Sequence, residues 1–310
     1  MSKSYHEDSD LLLYFHHNSF YSQKVIMTLH EKKLNFKTHL VNLASNEQYE
    51  SWFLEVNPLG EVPVLVDGVK IIPDSKRIIQ YVEDNFSNGY KRLLPTDMDS
   101  KMDVIALRDE IDSLPVGLIT KGAPHHPDFL LNPKSPFLPS NRAFMMDNQS
   151  RKPQVIRKAA DVNPSISDIL LDKATRQEQF NKELNNVQNY EQALERVDEV
   201  MNRIEAILIE NNKEKPKTFV YLFSTDFTMA DISLTVLLVR LDQLGLSHRY
   251  WNGSLRPIIA QYYSQVKQRE SFKLTIPPYG ANNDTALWYL VSGLSVLVIL
   301  SAVYFFRRRK

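Results

Sequence analysis

The chain has 310 residues, 43% of them hydrophobic, enough to bury one or two cores. Its 37 basic and 37 acidic residues cancel, and the absence of a clustered basic excess argues against nucleic acid as a partner. No cysteine is present, which excludes disulfides, thiolate metal sites and a cysteine nucleophile, and the nine glycines form no Gly-rich phosphate loop.

Residues 1–10 are polar and acidic, with neither an apolar signal core nor the Arg-rich, acid-poor character of a transit peptide. The run LLLYF at 11–15 reads as a buried strand, and KVIMTLHEK places Val25, Met27 or Thr28, and Leu29 at helical spacing. FKTHLVN at 36–42 alternates as a second strand. EVPVLVDG and VKIIP read as a hairpin turned at Asp67-Gly68. SKRIIQYVEDNF then gathers Ile78, Ile79, Tyr81, Val82 and Phe86 on one side of a helix. The order β-α-β, then a helix or loop, then β-β-α predicts a small thioredoxin-like mixed sheet.

From about residue 98 the strand signals fade, and DMDSKMDVIALRDEIDSL is helical. The proline-rich stretch 121–165, from Pro124 to Pro164, predicts loop and extended chain. Residues 183–209 carry Leu184, Val187, Tyr190, Leu194, Val197, Met201, Ile204 and Leu208 at spacings of three and four, an amphipathic helix. In TMADISLTVLLVRL, Thr228 and Asp231 form a variant capping box before an all-apolar run, so both are structural residues of a buried central helix. Phe227 and Ile232 add a hydrophobic staple.

The chain closes on TALWYLVSGLSVLVILSAVYFF, 22 residues without a charge between Asp284 and Arg307. As a helix this run is ~33 Å long, which matches the roughly 30 Å hydrocarbon core of a bilayer. Aromatic residues lie at both ends, and Arg307, Arg308, Arg309 and Lys310 follow. The expectation is a tail anchor, with the preceding residues in the cytosol. A short anchor with a compact basic tail points to the mitochondrial outer membrane, with the peroxisomal membrane left open.

EVPVL, then an acidic residue and Ser before a helix, then a helical half centred on FTMAD, together resemble the glutathione S-transferase fold over roughly residues 11–275. A narrower set comprises LYFHHNSFYSQKV, NPLGEVPVL, RDEIDSLP, the helical insert and the C-terminal anchor. It resembles the ganglioside-induced differentiation-associated protein 1 family of tail-anchored mitochondrial outer-membrane proteins. The implied fold is α+β/α, a thioredoxin-like N-terminal domain (11–88) and an all-helical C-terminal domain (89–280) with an insert at about 121–211. A polar N-terminus (1–10), a transmembrane helix (285–306) and a basic tail (307–310) complete the organisation.

The resemblance implies a glutathione-like site at Val62, Pro63, Asp74 and Ser75, with the Val62–Pro63 bond cis. Glutathione is the implied substrate or ligand, and no other cofactor is expected. Catalytic candidates are Ser19 and Ser22. SFYSQKV matches the S-x-x-S-x-[KR]-V pattern of zeta-type enzymes, which favours Ser19, while the theta-type Ser before Gln favours Ser22. Tyr14, His16, His17 and Lys24 lie nearby. Asp74 is a methylene shorter than the usual Glu, and Asp74 and Ser75 are also good helix-starting residues. His125 and His126 have no partners at metal-ligand spacing, so no metal is expected.

Two functions stand at this point. One is a repurposed binding module that shapes the mitochondrial network, mainly through fission, and influences redox balance. Its partners would be the bilayer and proteins of mitochondrial dynamics or the cytoskeleton, with a homodimer left open. The other is a membrane-bound transferase that conjugates glutathione to lipophilic electrophiles through Ser19 or Ser22.

Overall fold

The computed structural model describes residues 11–87, 89–214 and 221–277. The expected tail anchor and basic tail lie outside these residues, as does the polar N-terminus. Among the described residues no helix is long and apolar enough to cross a membrane.

The N-terminal half is a four-stranded sheet of β1 (Leu11–Phe15), β2 (Lys37–Leu40), β3 (Val64–Asp67) and β4 (Lys70–Pro73), in the order β2-β1-β3-β4. β1 turns Leu11, Leu13 and Phe15 into the core by simple alternation. It pairs parallel with β2, and a parallel pair needs a crossover, here α1 (Phe20–Glu31). β3 runs antiparallel to both β1 and β4. The β3–β4 hairpin closes where Asp67 pairs with Lys70, and Gly68 supplies the positive φ of 57° that the two-residue turn requires. A 3₁₀ turn at Glu47–Tyr49 and α2 (Ser51–Val56) precede β3, and α3 (Ser75–Asn85) follows β4.

The helical half comprises α4 (Met98–Asp112), α5 (Val116–Gly122), α6 (Arg142–Val162), α7 (Ser167–Glu183), α8 (Val187–Glu214), α9 (Met229–Gln243), α10 (Ser247–Tyr250), α11 (Pro257–Val266) and α12 (Glu270–Thr275). Every residue of α9 is buried, and α1 and α4 pack on it. Its Asp231 carboxylate accepts from the Thr228 amide (2.8 Å) and hydroxyl (2.7 Å), the Leu222 amide (3.0 Å) and the Tyr262 hydroxyl (2.8 Å). Burial pushes this carboxyl above its ordinary range, and the four donors oppose that shift.

Two expectations need correction. Residues 142–162 are helical although Pro153 lies inside them. Proline cannot donate to the carbonyl four residues back. That carbonyl, of Gln149, instead accepts from Asn181 Nδ2 of α7 at 3.0 Å, and Gln149 Nε2 returns a bond to Asn181 Oδ1 at 2.9 Å. The second correction concerns 183–209. α7 ends at Glu183, and α8 starts afresh at Val187 behind Asn186, whose Oδ1 accepts from the Asn189 amide at 3.0 Å.

The α6–α7 hairpin has a place against the sheet domain. Ile156, Ala159 and Ala160 of α6 and Leu170 and Ala174 of α7 form one apolar cluster with Tyr49 and Leu54. Asn148 donates to the Ala44 carbonyl at 3.0 Å, and Lys173 pairs with Glu61.

Candidate functional site

Ser19 caps α1, its Oγ accepting from the Ser22 amide at 3.2 Å. It is half-buried, and its hydroxyl proton enters no hydrogen bond with a described residue. Ser22 differs. It is fully buried, with its Oγ 3.4 Å from the His16 amide. Of the two candidates, only Ser19 can present a hydroxyl donor to a bound thiol at a helix N-terminus.

Tyr14 is packed among His39, Trp52 and Phe53, with ring centroids 5.2 to 6.2 Å apart, which makes it part of the wall. His16 Nδ1 accepts from the Asn18 amide at 3.2 Å. Burial, with His17 and Lys121 adding repulsion, lowers its pKa to about 4, so the ring is neutral at physiological pH. His17 is lowered by burial as well, and its ring meets Phe15 edge-on. Lys24 is buried against Asp112 of α4 at 2.5 Å, so it ties α1 to the helical half and does not face the cleft.

The Val62–Pro63 bond is cis. The chain reaches it through a loop held by Asn57, which donates to the Glu61 carbonyl (2.9 Å) and accepts from the Leu59 amide (3.2 Å). Gly60 has φ 59°, and a Cβ there would lie 2.7 Å from the Gln48 carbonyl, so this position requires glycine. Asp74 has φ 74° and caps α3, accepting from the Arg77 amide at 3.0 Å, with buried Ser75 as the first helical residue. The helix-starting role of Asp74 is therefore realised, and its second carboxylate oxygen faces solvent. Half-exposed Tyr21 lies in the field of Glu61, Asp112 and Asp74. Burial first, and then these three carboxylates, push its pKa up against the pull of Arg240.

His125 and His126 are structural. His125 Nδ1 pairs with Asn185 Oδ1 at 2.8 Å, and His126 Nε2 donates to the Leu184 carbonyl at 2.9 Å. Among the described residues no group of three metal-ligating side chains occurs.

Residues 18–85 match the glutathione S-transferase N-terminal domain, and residues 187–264 match its C-terminal domain. The human ganglioside-induced differentiation-associated protein 1-like 1 is 29% identical over 269 residues, which is 85% of this chain and 72% of that protein. The chain belongs to the glutathione S-transferase-like family that includes this protein. Within the family, the glutathione S-transferase TCHQD of Arabidopsis thaliana is 28% identical over 86% of this chain and 90% of its own length. Among solved structures, the β-etherase LigF of Sphingobium sp. strain SYK-6 has a TM-score of 0.61 at 20% identity. It covers 86% of this chain and 98% of that one. A zeta-class maleyl pyruvate isomerase gives 0.52 at 19% identity, covering 88% and 99%. These two likenesses show the fold.

Several residues of the cleft escape a sequence reading. Lys173 of α7 and Arg240 of α9 come from separate helices, and only the tertiary arrangement pairs the first with Glu61 and brings the second to the Asn18 carbonyl between His16 and Ser19. No local motif carries them.

Proposed function

We propose that this chain is a glutathione S-transferase-fold binding module held in the mitochondrial outer membrane by residues 285–306. In this reading it regulates mitochondrial network dynamics, chiefly fission, and redox balance through protein partners, and its transferase activity is weak or absent. The peroxisomal membrane is the alternative location. The observation that carries the reading is the α6–α7 hairpin. It is seated on Tyr49 and Leu54 ahead of β3, and it lies between, and outside, the two segments (18–85 and 187–264) that match the transferase domains.

One observation favours the second reading, a membrane-bound transferase acting on lipophilic electrophiles. The Ser19 hydroxyl retains a proton to donate at the start of α1. The two are separated by calorimetric titration of glutathione into the full-length chain in non-ionic detergent, followed by replacement of the endogenous protein with Ser19→Ala. The module reading expects the variant to restore network shape. Loss of network shape together with loss of conjugation would favour the transferase.

A further inference from the structure

The helical half contains a cavity of about 460 Å³, within the range of about 300–1,000 Å³ that small-ligand sites occupy. Its walls come from the loop at 131–134, the end of α9, α10 with the two residues after it, and α11. No residue of the sheet half lines it, so Ser19, Pro63 and Ser75 take no part.

The loop is fastened onto the turn between α9 and α10. The Leu131 amide donates to the Gly245 carbonyl at 2.9 Å, and the Lys134 amide donates to the Gln243 carbonyl at 2.8 Å. Gly245 has φ 77°, and a Cβ there would stand 2.4 Å from the Leu131 carbonyl oxygen, so only glycine lets the loop come this close. Asn132, with φ 52°, bends the loop in a conformation that asparagine tolerates. Two buried aromatic residues, Trp251 and Tyr263, stand edge to face on the cavity wall, their ring centroids 5.5 Å apart.

The charges around this space do not cancel. Asp242 is fully engaged, since one carboxylate oxygen accepts from Lys134 Nζ at 2.7 Å and the other from the Tyr263 hydroxyl at 3.2 Å. Lys267 is left over. Its ammonium lies 4.6 Å from the centroid of the Tyr263 ring and meets no carboxylate among the described residues. Beside it are neutral groups with hydrogen-bonding capacity to spare. Ser247 Oγ accepts from Asn252 Nδ2 at 2.9 Å, which leaves the serine proton and Asn252 Oδ1 unused. His248 Nδ1 donates to the Gly245 carbonyl at 2.9 Å, which leaves Nε2 for a ligand.

We propose that this cavity binds a sugar acid, a pyranose ring bearing one carboxylate. The carboxylate answers the single unmatched charge, on Lys267. Sugar hydroxyls both donate and accept, and so suit the mixed set of the Ser247 proton, Asn252 Oδ1, His248 Nε2 and the Asn132 amide. An apolar acid would leave those groups unpaired, and a zwitterion would find no free carboxylate for its ammonium. The C–H face of the ring packs on the aromatic wall of Trp251 and Tyr263.

The test is calorimetric titration of methyl β-D-glucuronide into the full-length chain, held in a polyoxyethylene detergent so that no sugar headgroup competes. Saturable binding is expected. Methyl β-D-glucoside, which lacks only the charge, and acetate, which lacks the ring, should each bind about tenfold more weakly or worse, the worth of one charged hydrogen bond. Lys267→Met should weaken glucuronide binding by about tenfold, and Lys267→Arg should keep it within a few-fold. Asn252→Ala, at an exposed position, should weaken it by about threefold or more. Saturating glutathione should leave it unchanged, so the outcome is independent of whether the Ser19 site binds glutathione. The proposal is overturned by an absence of saturable glucuronide binding, by wild-type affinity in both Lys267→Met and Asn252→Ala, by equal binding of the glucoside or acetate, or by competition from glutathione. Melting curves establish that each variant is folded before it is scored.

Discussion

At the scale of single residues, the two serines of SFYSQKV show how one helix turn separates a ligand-facing hydroxyl from a structural one. Ser19 lies at the cap, where its oxygen accepts from the Ser22 amide and its proton meets no partner among the described residues, whereas Ser22 lies one turn inside and is fully buried. Ser22→Ala should cost about 1 kcal/mol of stability, the usual worth of a buried hydrogen bond, and leave glutathione affinity unchanged. Ser19→Ala should remove whatever conjugation the protein performs with little change in melting temperature, because the cap bond it loses is partly exposed. Denaturation curves and a conjugation assay on the same two preparations check both.

Lys152 makes a second residue-scale case. Its folded value of about 7 lies below the 10.5 of an ordinary lysine. The unfolded chain therefore binds the proton more readily, and stability rises with pH between those two values. Below about 7 the lysine is charged in both states and its full cost is present, while above 10.5 the cost vanishes. Lys152→Met should accordingly raise the melting temperature at about pH 6, with the gain shrinking toward pH 10.5. A gain that does not vary with pH would mean that the methionine acts through packing alone.

At the scale of elements, α6 is the instructive one. A proline twelve residues into a helix ordinarily breaks it, at a cost of about 3 kcal/mol or more. Here α7 supplies the missing partner, because Asn181 takes up the Gln149 carbonyl that Pro153 leaves bare. Asn181→Ala should strand that carbonyl and the Gln149 amide together and destabilise the hairpin by roughly 1–3 kcal/mol. The same change made with Pro153→Ala should cost less, since the helix then recovers its own bond. A double-mutant cycle measured by urea denaturation reads the coupling directly.

The same element explains where the sequence can be read and where it cannot. The strands, α3 and α9 are legible because each carries its determinant locally. These are alternation in LLLYF, the Ile78-Ile79-Val82 stripe, and the Thr228–Asp231 box ahead of an apolar run. The cis Val62–Pro63 bond is legible through family resemblance. α6 is not, because proline content argues for loop and the compensating Asn181 lies 32 residues away. The break between α7 and α8 is hidden for a related reason. Leu184 continues the apolar stripe and is buried, yet it sits at the end of α7, and the capping role of Asn186 is evident only from the Asn189 amide.

At the scale of the whole molecule, the sheet half and the helical half are joined by a polar knot around Glu31 at the end of α1. Its carboxylate accepts from Arg269 Nε and Nη2, each at 2.7 Å, from Lys91 Nζ at 2.6 Å, and from the Ser271 hydroxyl at 2.5 Å. Arg269 also donates to the Tyr221 hydroxyl and lies over the Phe227 ring. Burial alone would raise the Glu31 pKa, but the donors from Arg269, Lys91 and Ser271 together outweigh it, and the net shift is downward. A carboxylate depressed in the folded state contributes stability that is fully present above its unfolded value. That contribution is lost as pH falls through the folded one. Glu31→Gln keeps the shape but removes the charge, and leaves Arg269 and Lys91 facing each other across a neutral amide. The variant should lose roughly 2–3 kcal/mol at neutral pH, and its deficit relative to wild type should narrow as the pH drops below the ordinary glutamate value of 4.5. Because the knot bridges the two halves, the loss should appear as a lower midpoint of one shared transition. If the two halves melted separately in the wild type, or if the deficit stayed constant into acid, Glu31 would not be the charge that couples them.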